Sequence, residues 1–126
     1  MLIVGSYCSS QSQDSSFEEF VARFSSDKGF QLERIKFPIE ITFHENFPEA
    51  IIHKKLMPTE WEHVEFLPDS ITTKLGFEAF ESYTTHPSSR ETIIQWTGLD
   101  NGINVSYHFR IFNRKWYLIE VINLST

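Results

Sequence analysis

Apolar residues fall in two rhythms along this chain, and each rhythm marks out a different kind of element. Phe17, Phe20, Val21 and Phe24 recur at i, i+3, i+4 and i+7, which is the apolar stripe of an amphipathic helix. Ser16-Phe17-Glu18-Glu19 has the S-x-x-E form in which serine and glutamate side chains satisfy the free backbone N–H groups of a helix start. Asp27-Lys28-Gly29 is expected to end the helix, with Gly29 as the C-terminal stop. Phe30 to Arg34 fits either a second helical turn or the entry to a strand.

Period two then takes over. Ile35, Phe37, Ile39, Ile41 and Phe43 alternate with Lys36, Glu40, Thr42 and His44, predicting a half-buried strand. Pro38 has no N–H to give a ladder, so this strand is expected at an edge or with a bulge there. Asn46 to Glu49 reads as a turn and Ala50 to Leu56 as a second strand. Pro58-Thr59-Glu60-Trp61 reads as a helix or turn start capped by Thr59. The pattern is weakest from residue 61 to 90. There Leu67-Pro68-Asp69 reads as a turn, Phe77, Phe80 and Tyr83 fit helix or strand, and Thr85 to Ser89 reads as a loop.

The last third is regular. Thr92 to Gly98 is a strand, and Asp100-Asn101-Gly102 is a strong hairpin signal. Ile103, Val105, Tyr107, Phe109 and Ile111 alternate against Asn104, Ser106, His108 and Arg110. Asn113-Arg114-Lys115 turns the chain into a final strand, Trp116 to Ile122. Trp116 and Leu118 fall on one face of it, and Tyr117, Ile119 and Val121 on the other. A strand apolar on both faces is expected to be central and covered twice.

Composition narrows the class. With 126 residues the chain has room for one core, and its twelve phenylalanines imply that a few large side chains close that core. The net charge of −6 and the scatter of basic residues along the chain, with only Lys54-Lys55 and Arg114-Lys115 adjacent, argue against nucleic acid. The same balance argues against adsorption to anionic lipid. One cysteine excludes a disulfide framework within the chain and a zinc site of several thiolates. No stretch approaches the roughly 18 apolar residues of a membrane span.

The single cysteine, Cys8, lies between Leu2-Ile3-Val4-Gly5-Ser6-Tyr7 and the polar run Ser9 to Ser16. An apolar run, small residues, cysteine and a polar tether resemble the end of a bacterial lipoprotein signal, in which the cysteine is acylated and becomes the mature N-terminus. Tyr7 departs from the small residue preferred before the cysteine. Seven residues are too few for an export signal, so the rest of the leader is expected to lie upstream of Met1 or to have been trimmed away. The expectation is therefore a signal remnant and polar tether over 1–16 and a single α+β domain over 17–126. The address is the cell envelope, lipid-anchored at Cys8, or the cytoplasm if Cys8 is unmodified.

A helix followed by antiparallel strands implies a helix held against a curved sheet. The closing stretch WTGLDNGINVSYHFRIFNRKWYLIEVINL resembles the end of nuclear-transport-factor-2-like domains. The stretch FEEFVARFSSDKGFQLERIKFPIEI, with Phe17, Phe20, Phe24, Asp27, Phe30, Gln31, Arg34, Ile35, Phe37 and Pro38 at the matching positions, resembles domain of unknown function 4348, a family of Bacteroidetes lipoproteins. The resemblance implies a cone-like α+β fold of nuclear-transport-factor-2-like or cystatin-like type and an envelope location. It brings no activity with it.

In such cones the concave sheet face and the helix enclose a pocket. Some members use an aspartate or a His/Asp pair there for isomerisation or dehydration, and many only bind. The pocket candidates are Trp61, Trp96, Tyr107 or His108, Trp116 and Glu120, where either the Tyr107 set or the His108 set faces inward. His108 and Glu120 are the acid/base candidates. The plainer reading is that His108 and Arg110 line a solvated face and that Glu120 forms an ion pair. His44-Glu45, His53 and His63 lack a converging third ligand, so no metal is expected, and no cofactor motif is present. Gln31 and Arg34 read as a structural tie, Arg34 reaching a carboxylate such as Glu33, Glu40 or Glu120. The preferred expectation is a non-enzymatic module binding a small apolar ligand or an envelope protein, with a homodimer as a further option. The alternative is a small isomerase or dehydratase.

Overall fold

The computed structural model describes residues 14, 16–45, 50–66, 71–75 and 78–126. The element order is α1 (Phe17–Ser26), α2 (Lys28–Glu33), β1 (Ile35–Glu45), β2 (Ala50–Leu56), a 3-10 turn (Pro58–Glu60), β3 (Ile71–Leu75), β4 (Glu78–Ser88), β5 (Glu91–Gly98), β6 (Asn104–Phe112) and β7 (Lys115–Asn123). The strands form one curved sheet of order β2-β1-β7-β6-β5-β4-β3, with the helices on its inner face. Neighbours pair antiparallel except β1 and β7, which run parallel. The fold is α+β, as the sequence predicts.

Helix α1 starts where the S-x-x-E pattern places it, with Ser16 Oγ accepting from Glu19 N at 3.1 Å. It ends at Ser26, three residues before the expected glycine. Asp27 is at once the C-cap of α1 and the N-cap of α2, its Oδ1 accepting from Phe30 N at 3.0 Å. The chain turns at an extended aspartate, and Gly29 lies inside α2. The stripe of α1 buries Phe17, Phe20 and Phe24 against Phe109 at the centre of β6, with ring centroids 5.2, 5.9 and 5.6 Å away. Three rings set edge-on to a fourth fill the concavity that sheet curvature creates.

Strand β1 is not an edge strand. It lies between β2 and β7, and its pairing with β7 shifts register between Ile35 and Glu40. Pairing with β2 begins only at Ile39, so Pro38 falls in the bulge and costs neither ladder a donor. A second irregularity falls in β7, where Phe109 pairs with Leu118 but His108 pairs with Glu120. The extra residue, Ile119, moves Val121 onto the inner face beside Trp116 and Leu118, where all three are buried. The expected grouping of Val121 with Tyr117 therefore fails at the bulge. Strand β7 is central, but among the described residues it is covered on one face only, by the helices.

Residues 85–88 continue β4 rather than forming a loop. The shift between Thr85 and Ser88 takes Pro87 out of the pairing, and His86 accounts for the rest: its ring meets Phe17 and its Nδ1 lies 2.9 Å from Thr92 Oγ1. Thr59 does not cap the 3-10 turn. Met57 occupies the cap, its N–H donating to Glu60 Oε1 at 2.9 Å. The expected turns at 46–49 and 67–69, and Phe77, lie outside the described residues. The β5–β6 turn closes through Gly98 N and Ile103 O at 2.8 Å, with Asp100 left-handed at φ 61°.

Candidate functional site

The inner face is organised by a strap, residues 61–66, that crosses the helix pair. Gln31 is fully buried and uses all its hydrogen-bonding capacity to join α1 to this strap. Its Nε2 donates to Phe24 O at 2.7 Å and Val64 O at 2.8 Å. Its Oε1 accepts from Trp61 Nε1 at 2.8 Å and Val64 N at 3.0 Å. Ser25, buried at the end of α1, fastens the far side of the strap. Its Oγ donates to Phe66 O at 3.0 Å and accepts from Phe66 N at 2.8 Å. His63 Nε2 lies 2.6 Å from Ser25 O and must be the donor there, because a carbonyl only accepts.

Arg34 makes a second tie. The expected carboxylates Glu33, Glu40 and Glu120 do not hold it. Asp14 does, with Arg34 Nη1 2.7 and 3.0 Å from its two oxygens and both side chains buried. Arg34 Nη1 also donates to Trp116 O at 3.3 Å, while Trp116 N donates to Asp14 Oδ2 at 2.7 Å. Asp14, which the sequence assigns to the polar tether, is thus held in the fold, and its own N–H donates to Arg114 O at 3.0 Å. The Arg34 guanidinium lies 4.6 Å from the Phe30 ring, so the buried charge has both an anion and a ring face for company.

The aromatic candidates divide. Tyr107 faces inward and is buried, and burial pushes its phenol well above the usual tyrosine range. Trp116 packs edge-on to Phe17 at 5.1 Å, and the Trp61 indole is used by Gln31. Trp96 is packed by Phe80 at 4.7 Å and Tyr107 at 4.9 Å, yet its Nε1 is buried with no hydrogen-bond partner. Of the four, it alone has a fully buried donor without a partner among the described residues.

His108 and Glu120 fall on the other side, half-buried on the outer face of the sheet. The register sets His108 opposite Glu120, and Glu120 beside Glu40 of β1. Glu40 in turn reaches His53, its Oε2 3.2 Å from Nδ1, which also lies 3.0 Å from Thr42 Oγ1. His44 pairs with Ile51 rather than His53, so the two histidines do not converge. Among the described residues no three His, Cys, Asp or Glu side chains come together as a metal site would need. Cys8 lies outside the described residues.

Sequence reasoning missed Asp14 and Ser25. Asp14 is the one acid in its serine and glutamine run, and Ser25 directly follows the buried Phe24. Both are small polar residues beside apolar stripes, a signal too common to single them out.

Two helices on the inner face of a curved, largely antiparallel sheet, with no described residues covering the outer face, define the class of nuclear-transport-factor-2-like and cystatin-like folds. Similar solved structures include a nuclear-transport-factor-2-like protein from Bacteroides fragilis (TM-score 0.65, 17% identity, 91% of this chain and 49% of that one). A cystatin-like protein from Bacteroides caccae gives 0.64 and 19%, over 87% of this chain and 78% of that one. A protein from Bacteroides uniformis gives 0.63 and 21%, over 87% and 77%. The chain spans about half the length of the B. fragilis protein. At such identities the likeness is one of fold. The chain itself belongs to the family described as domain of unknown function DUF4348, whose model matches residues 8–123. No curated protein matches it.

Proposed function

We propose that this domain is a non-enzymatic interaction module of the cell envelope, lipid-anchored at Cys8, that engages a partner protein through the outer face of its sheet. The observation that carries the reading is the division of labour between the two faces. The inner aromatic residues pack on one another and on the strap. The outer face leaves Tyr83 and Ile51 about half exposed, at 46% and 51%, and carries Ile93 and Ile122 half-buried between them. Tyr83, Gln95, Ser106, Ile122, Thr42 and His53 form one continuous cross-strand row. A mixed apolar and polar sheet face of this kind suits a protein surface better than bulk water.

The test is a photoreactive residue at Ile93, compared with one at exposed Ala22 on α1, in cells expressing the full gene with its upstream sequence. A discrete envelope protein linked through position 93 and not through position 22 is the expected result. A linked second copy of the chain replaces the partner by a homodimer. No adduct at 93 refutes the reading. Intact mass from the membrane fraction decides the anchor separately: a mature chain starting at an acylated Cys8 supports it, and an unmodified Met1 refutes it. A second reading, a small ligand offering an acceptor to Trp96 Nε1, draws on that unmet donor. The isomerase alternative has less to draw on, because His108 and Glu120 stand on the uncovered face.

A further inference from the structure

Basic residues that are scattered along the sequence are not scattered in space. Lys36, Arg90, Arg110, Arg114 and Lys115 are five of the chain's eleven lysines and arginines, and the fold gathers them at the end of the sheet formed by the β6–β7 turn. Ile111 N donates to Arg90 O at 3.0 Å, which brings the β4–β5 turn alongside β6. Arg90 and Arg114 flank a surface depression of about 490 Å³ lined also by Ile111, Phe112 and Asn113. The register sets Arg110 opposite Tyr117 and Phe112 opposite Lys115. Lys36 Nζ lies 4.2 Å from the Tyr117 ring centre and 4.9 Å from that of Phe112, which is itself 40% exposed. Among the described residues the carboxylates at this end are Glu91, opposite Arg110, and Glu18 and Glu19 in the first turn of α1; Asp14 is neutralised by Arg34. In a chain of net charge −6, this end carries more cations than carboxylates among the described residues.

The N-terminal segment enters the fold at the same place. Asp14 is bound to Arg114 O, to Trp116 N and to Arg34, so position 14 is fixed at the basic end. Cys8 is six residues upstream, and six residues reach about 20 Å at most. A domain of this length has a radius of gyration of about 14 Å, hence a diameter well beyond that reach. An anchor at Cys8 would therefore lie within that distance of Asp14 and would not let the opposite end of the domain face the membrane. Basic side chains around an exposed aromatic ring are suited to anionic headgroups, the cations meeting phosphate and the ring entering the interface.

We propose that the end formed by Lys36, Arg90, Arg110, Phe112, Arg114 and Lys115 docks on an anionic phospholipid surface when the chain is anchored, leaving the outer sheet face free for its partner. The proposal rests on anchoring at Cys8, but its test does not. Because Cys8 is the only cysteine, the full chain can be coupled chemically to a maleimide-headgroup lipid in phosphatidylcholine vesicles, with or without phosphatidylglycerol. Lysine acetylation by a water-soluble reagent, read by mass spectrometry, then reports orientation, with exposed Lys28, Lys54 and Lys55 as internal controls.

Lys36 and Lys115 are expected to react at least about fivefold more slowly on the anionic vesicles, the effect of about one basic residue at a charged surface. The controls should be unchanged. Raised salt should abolish the difference, and so should R90Q/R110Q in a chain whose circular dichroism is unaltered. Equal labelling on both vesicle types overturns the proposal, as does protection that survives R90Q/R110Q. The same protection of the uncoupled chain by inorganic phosphate alone also overturns it, and makes the depression a soluble-anion site. The anchor itself stands or falls on the intact mass, whichever way the labelling turns out.

Discussion

Replacing Gln31 by leucine tests the claim that one buried amide holds the strap to the helices. Leucine is close in volume, so packing changes little and the loss is one of hydrogen bonds. The substitution orphans Phe24 O, Val64 O, Val64 N and Trp61 Nε1, which now meet Gln31 at 2.7 to 3.0 Å. The Trp61 indole is half-buried and can turn to water. Phe24 O is buried, and the N–H and C=O of half-buried Val64 are held against the helices by the strap; each such group left unpaired costs about 1–3 kcal/mol. Peeling the strap away limits the total, because it exposes Phe66, worth about 1.5–3 kcal/mol, and breaks the Ser25 bonds. The expected loss is about 3–5 kcal/mol, a large part of a typical domain's stability. With a urea m value of about 1.5 kcal/mol/M the midpoint should fall by about 2–3 M. Amide exchange separates the strap from the global effect: Val64 N–H should lose protection in native buffer while Phe66 N–H, bound to Ser25 Oγ, keeps more of its own. A loss below about 1 kcal/mol, or unchanged exchange at Val64, would refute the reasoning.

Asp14→Ala leaves the Arg34 charge buried without its anion and Trp116 N–H without its acceptor, so urea unfolding should show a loss of about 3–5 kcal/mol. Replacing Asp14 and Arg34 together by leucine should cost less than either single change, because no lone charge is then buried. Phe24→Ala, at a fully buried ring in contact with Phe20, Phe66 and Phe109, should cost about 3–5 kcal/mol by calorimetry. Tyr107 supplies a pH dependence. Its phenol is raised by burial, so the native state holds the proton longer than the unfolded chain, and the stability it contributes is complete below about pH 10. Above that value stability should fall by about 1.4 kcal/mol per pH unit until the native phenol ionises. Tyr107→Phe should remove that slope from a series of urea titrations, and a slope that persists would assign it elsewhere.

What the sequence made legible was periodic. The stripe of α1, the alternation of β1 and β6, and the last two turns were all readable because each burial choice repeats at a fixed interval. What it hid was where a period slips. Ile119 adds one residue to β7 and carries Val121 to the other face, and nothing in the local composition marks that residue as the extra one. The run Thr-His-Pro-Ser-Ser has loop composition, yet it stays in β4 because the pairing shift removes Pro87 and Thr92 engages His86. The site was hidden for a related reason. Arg34 announces a buried tie, but three glutamates nearer in sequence or pattern compete with Asp14, and only the path of the chain back to β7 chooses among them. The basic end is the extreme case, since it is assembled from a strand start and two turns that are far apart in sequence.

The concavity of a helix-on-sheet cone can be filled by a ligand or by the chain itself, and the choice follows from the side chains that face it. Here α1 supplies Phe17, Phe20 and Phe24, the strap supplies Phe66, and all four meet Phe109 within 6 Å. With those rings in place, strap and helices form one unit with the sheet, joined by a fully satisfied glutamine and a double serine bond. Opening that unit to admit a ligand would expose several aromatic side chains at once, at about 1.5–3 kcal/mol each. The outer face requires no such opening. Its polar rows are built from single strands in register, it lies clear of the helices, and its substitution leaves the core untouched. On the proposed reading the interior serves stability and recognition falls to the outer face and the rim, so variants on those surfaces are where function is expected to separate from folding.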